Sequence, residues 1–115
     1  METSKKENGK IFCVSINGSM SAALTPEDEK TIKQLLEEDI SLLLFDLSSL
    51  VYPGSTVLRV ILNAAKNLRS KQGKVVLCSP NQYVQEIFAI GGFGTLVPIA
   101  DSIESGLQAH SSYLN

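Results

Sequence analysis

Tryptophan is absent, histidine occurs once, cysteine twice, and all aromatic residues together make up only 6% of the chain. Each scarcity removes a class of function. Two cysteines cannot build the bridged framework of a small secreted scaffold. Cys13 and Cys78 each sit inside an apolar run, the setting of a buried free thiol in a reducing compartment. The one histidine, His110, stands near the C-terminus in a polar stretch. No second histidine or cysteine lies at ligand spacing from it, so neither a metal centre nor a nucleophile with its base can be assembled. A net charge of −2 with so few stacking rings is the wrong balance for holding nucleic acid. Long apolar runs are missing too. The strongest, Ile40 to Phe45, stops at Asp46, far short of the roughly 20 residues a membrane-spanning helix needs. The opening METSKKENGK has no apolar segment of the secretory kind, which points to a cytoplasmic protein.

The chain does have enough length and apolar content for one core: 115 residues, 43% of them hydrophobic. Residues 1–9 read as a flexible tail or a short first strand, 10–110 as the domain, and 111–115 as a second tail. Ile11 to Ile16, stopped by Asn17-Gly18, has the β-branched content and punctuation of a buried strand. Thr25-Pro26-Glu27-Asp28 is a helix start, with a capping hydroxyl, proline in the first helical position and acids over the positive dipole end. Ile32, Leu35 and Leu36 carry that helix to about Asp39. Ser41 to Leu47 is nearly all apolar, as a strand covered on both faces must be. A loop is predicted over Ser48 to Gly54. From Ser55 the period becomes 3.6, with Leu58, Ile61, Leu62, Ala65 and Leu68 on one face and Gly73 as the C′ residue. Lys74 to Cys78 reads as a strand, and Ser79-Pro80 as the cap and first residue of a helix to Ile90. Leu96 to Ile99 reads as a short edge strand, and Asp101-Ser102-Ile103-Glu104 as a capping box opening a last helix. Strands alternating with helices predict an α/β layered, mostly parallel sheet. Its ligands or partners should meet the carboxyl ends of the strands, at Asn17 to Leu24 and Ser48 to Thr56.

Enzyme chemistry finds no residues to use. Gly91-Gly92-Phe93-Gly94 follows a helix, whereas phosphate-binding glycines precede one. No cofactor is expected. Charge is unevenly spread: residues 25–39 hold six acids and two lysines, whereas 55–74 hold Arg59, Lys66, Arg69, Lys71 and Lys74 with no acid. The plain reading is two solvated helix faces. The segment from Asp46 to Leu58 holds adjacent hydroxyls, Ser55-Thr56, where a helix begins. A hydroxyl there can cap the helix or carry a phosphate, since free backbone N–H groups and the dipole favour an anion.

From about residue 10 to 107 the sequence resembles the STAS domain family, of sulfate transporters and anti-sigma factor antagonists. Asp46-Leu47-Ser48-Ser49-Leu50, Gly54-Ser55-Thr56-Val57-Leu58, Gly73-Lys74-Val75-Val76-Leu77, Gly92-Phe93, Leu96-Val97-Pro98-Ile99 and Asp101-Ser102-Ile103-Glu104 follow the family's motifs in order. The resemblance implies a mixed, mostly parallel sheet of four to five strands with about four helices. It also implies a non-enzymatic role as an anti-sigma factor antagonist. The partner would be an anti-sigma factor that is also a serine kinase of the histidine-kinase-like ATP-binding type, with a phosphatase to reverse it. By position the phosphorylated residue is Thr56, with Ser55 second, and the docking residues are Met20, Ser21, Tyr52, Gly54, Ser55, Thr56, Val57 and Arg59; of these the apolar strand-end residues Met20, Tyr52 and Val57 read equally as core, Val57 more as core than as contact surface. Gly54 and Ser21 replace acids of the family pattern and Val57 replaces a glycine. These departures keep open an alternative, an unphosphorylated STAS binding or scaffold module in a signalling or lipid-transport assembly.

Overall fold

The computed structural model describes residues 2–6, 10–16, 18–19, 25–52, 54–90 and 97–110. In chain order the elements are β1 (Glu2–Lys6), β2 (Ile11–Ser15), β3 (Gly18–Ser19), α1 (Pro26–Glu37), β4 (Leu42–Asp46), β5 (Leu50–Tyr52), α2 (Gly54–Ser70), β6 (Lys74–Cys78), α3 (Gln82–Ile90), β7 (Ile99–Ala100) and α4 (Ile103–His110). The main sheet has the order β1-β2-β4-β6-β7, with β1 antiparallel to β2 and all other pairs parallel. This is the α/β architecture expected from the alternation.

Each parallel step moves one place in the same direction, and crossovers of one hand repeated in one direction put every connecting helix on the same face. The period-2 alternation of the strands then sorts the core. Phe12, Val14, Leu43, Phe45, Val75 and Leu77 meet apolar residues of α1, α2 and α3. Ile11, Cys13, Leu42, Leu44, Val76 and Cys78 form the other face, against which Ile103 and Leu107 of α4 pack. Leu42 to Phe45 in β4 are wholly buried, because they are covered from both sides. Cys13 and Cys78 are buried and not joined in a disulfide.

Thr25 caps α1 as predicted: its Oγ1 accepts from the Asp28 N–H at 3.1 Å, while the Asp28 carboxylate accepts from the Thr25 N–H at 3.0 Å. Other ends correct the sequence reading. The left-handed residue after α2 is Gln72, at φ 64°, and not Gly73. The Gln72 N–H donates to the Arg69 carbonyl at 3.1 Å and the Gly73 N–H to the Leu68 carbonyl at 2.7 Å, a Schellman closure. Gly73 is required for space, since a Cβ there would stand 2.9 Å from the Ser41 carbonyl oxygen. Asn81, and not Ser79, caps α3, its Oδ1 accepting from the Val84 N–H at 2.8 Å. The Ser79 N–H is committed to the Ala100 carbonyl at 2.9 Å, which keeps Ser79 in the strand pairing. The box opening α4 lies one residue later than expected, between Ser102 and Ser105. The edge strand is Ile99–Ala100, beyond Pro98, and the predicted loop at 48–54 contains β5. Gly91 to Leu96 and the tail 111–115 lie outside the described residues.

Candidate functional site

Beyond the carboxyl ends of β2 and β4 the chain forms a second, two-stranded sheet in which β3 runs parallel to β5, Gly18 opposite Leu50 and Ser19 opposite Tyr52. Asp46 organises the exit from β4. Its Oδ1 accepts from the Ser48 N–H at 3.1 Å and its Oδ2 from the Ser15 hydroxyl at 3.3 Å. In β5, Leu50 turns into the core at 2% exposure while Val51 is 64% exposed, the alternation of a strand with one dry face. Asn81 ties this strand to α3: its Nδ2 donates to the Leu50 and Val51 carbonyls at 3.2 and 3.3 Å while its Oδ1 caps the helix. Sequence reasoning missed both Asn81 and Val51. An asparagine behind Ser-Pro gives only a turn signal, and three-residue strands are too short to show a period.

α2 starts at Gly54 with φ 56°. A side chain in that left-handed backbone costs about 1–2 kcal/mol, which accounts for glycine at a position where the resemblance leads one to expect an acid. Ser55 is exposed, Thr56 half-buried and Val57 wholly buried in the main core. One turn of helix thus passes from solvent to core. Val57, which by sequence reads as core or contact surface with core favoured, is core: it is a peg that holds the tip in place. Arg59, one turn deeper, gives its Nη2 to the Glu29 carboxylate of α1 at 2.9 Å. Tyr52 ends β5 immediately ahead of this tip. Met20 and Ser21 lie outside the described residues. Gly54, Ser55 and Thr56 therefore share one helix tip with Tyr52 beside it, and Arg59 stands on the flank facing α1.

The chemistry open to this end of the molecule is that of a surface. The Cys78 thiol, behind Asp46 in the sheet, is pushed up to about 12 by burial, with Cys13 and Asp46 adding to the effect, so it stays protonated and unreactive. Among the described residues no group of three or more His, Cys, Asp or Glu side chains could hold a metal ion. No described helix is long and apolar enough to cross a membrane. The tip itself can present an alcohol to a partner or bear an anion, because the first backbone N–H groups of α2 have no partners within the helix.

Residues 2–106 match the family model described as the STAS domain. BtrV of Bordetella bronchiseptica, described as an anti-sigma factor antagonist, is 33% identical over 112 residues, 97% of this chain and 96% of BtrV. The solved structure of an anti-sigma-factor antagonist (STAS) domain protein from Planctomyces limnophilus superposes with a TM-score of 0.82 at 16% identity, covering 96% of this chain and 97% of that one. The Bacillus cell fate determinant SpoIIAA in its phosphorylated form superposes with a TM-score of 0.73 at 12% identity, covering 94% and 98%.

Proposed function

This chain belongs to the STAS domain family, and from that premise we propose that it is an anti-sigma factor antagonist acting by phosphorylation-controlled partner switching. In the unmodified state the α2 tip and β5 dock on an anti-sigma factor and keep it from its sigma factor. That anti-sigma factor is also an ATP-dependent kinase. The Thr56 hydroxyl attacks the γ-phosphorus of ATP, an O–P bond forms as the bond to ADP breaks, and the hydroxyl proton is released. Ser55 is the second acceptor. The added group carries about −1.5 to −2 charge and three oxygens, so in a closely packed contact it brings bulk, desolvation cost and repulsion. Docking is lost without refolding of the domain, and a phosphatase resets the switch by hydrolysing the ester. The observation that carries this reading is the hydroxyl pair on a helix tip pinned by buried Val57, with Ser55 open to solvent.

The test is to incubate the protein with ATP and a candidate anti-sigma kinase from the same genome, then to weigh the intact chain and the peptide spanning 55–58. One phosphate is expected, absent in Thr56→Ala. Thr56→Glu should weaken capture of the partner by about tenfold or more, roughly 1.4 kcal/mol, while Thr56→Ala keeps it. No modification together with undiminished capture by Thr56→Glu would replace this reading with the scaffold module, for which the missing acid at Gly54 speaks.

A further inference from the structure

Arg59 has one partner now and a second within reach. We propose that Arg59 binds the phosphoryl group when Thr56 is modified, giving up Glu29, so that the ion pair joining α1 to α2 is exchanged for one inside α2. This deepens the phosphorylation reading and rests on it. Thr56 and Ser55 precede Arg59 by three and four residues, the two spacings that bring side chains of one helix face together, with Cβ atoms about 5–6 Å apart. Arg59 is the nearest basic residue of α2 to the tip; the next, Lys66, lies nearly three turns beyond Thr56.

Magnitudes favour the exchange. The side chains of Arg59 and Glu29 are 57% and 25% exposed, so the present bond is a surface ion pair worth about 0–1 kcal/mol. A phosphate dianion offers twice the charge and a bidentate seat for the guanidinium fork. The remaining polar groups do not compete for it in the same way. Asp28 is occupied in the Thr25 cap, and Lys33, which lines the same groove between α1 and α2, belongs to the opposite helix. Once Arg59 leaves, Glu29 stands beside Glu27 and Asp28 with only Lys33, one turn along its own helix, as a counter-charge in that groove. The first turn of α1 then becomes more negative, and modification of one helix is read on two.

The experiment uses the full chain with phosphothreonine placed genetically at position 56, with no kinase or partner in the tube. The phosphorus resonance is followed against pH in the parent and in Arg59→Gln, Arg59→Lys and Glu29→Gln, each checked for folding by circular dichroism. The second ionisation of the phosphate, ordinarily near 6, should fall by roughly half a unit or more in the parent. That fall should vanish in Arg59→Gln, persist in part in Arg59→Lys and deepen in Glu29→Gln. Superimposable titrations of parent and Arg59→Gln, or no effect of Glu29→Gln, would overturn the exchange. Failure of the kinase to modify the protein would sink the proposed function instead, and is read in the separate mass measurement.

Discussion

Gln72 and Gly73 divide between two residues a task that one glycine often performs. Gln72 takes the left-handed backbone at φ 64°, and Gly73 supplies the room, with no space for a Cβ only 2.9 Å from the Ser41 oxygen. Neighbouring glycine substitutions should therefore have opposite signs. Gln72→Gly relieves a left-handed side chain and should raise stability by about 0.5–1 kcal/mol, with some of the gain lost to a freer unfolded chain. Gly73→Ala should cost more than about 1 kcal/mol, because the atom it would strike is backbone and cannot swing aside. Urea unfolding midpoints of the two variants against the parent measure both signs.

At the scale of elements, the basic and acidic helices turn out to be partners of one another in part. Besides the Arg59–Glu29 pair, the Lys71 ammonium donates to the Leu36 carbonyl near the end of α1, a helix with no basic residue in its own last turn. A cation from the turn that closes α2 thus serves the negative dipole end of α1. Asn81 makes the comparable link between β5 and α3. Replacing it by alanine should cost about 0.5–2 kcal/mol for the cap alone and loosen both elements together. Aspartate at 81 keeps the acceptor and loses the donor. Amide exchange should then quicken at 50–52 and stay slow at Val84, whereas equal acceleration at both places would show that the two bonds are not separable.

For the whole molecule, the buried thiol of Cys78 links stability to alkaline pH. Its folded value of about 12 lies above the ordinary 9.0. The unfolded chain therefore loses this proton first as pH rises. The stabilisation is complete below about pH 9 and is lost progressively as pH climbs towards 12. Denaturant midpoints measured across that window should fall less steeply in Cys78→Val than in the parent, provided both are compared with their own values at pH 8. Thiol reagents at pH 8 should label Cys13 and Cys78 only as fast as the domain opens, since both are buried.

The alternation of the four parallel strands of the main sheet with the helices, the doubly covered β4, the Thr25 cap, the two buried thiols and the hydroxyl pair at the start of α2 were all legible in the chain itself. Period, cap spacing and turn residues act over a few neighbours, so they survive without knowledge of the rest. Other features exist only through contacts between distant segments. β3 and β5 are two and three residues long and owe their form to pairing across the intervening α1 and β4. The face taken by α4, the hold of Asn81 on β5 and the engagement of Arg59 by Glu29 are likewise decided by what the fold brings alongside. A residue's own neighbourhood in sequence carries no information about such partners, because the energy that selects them is gained only when the sheet has closed and the helices have docked.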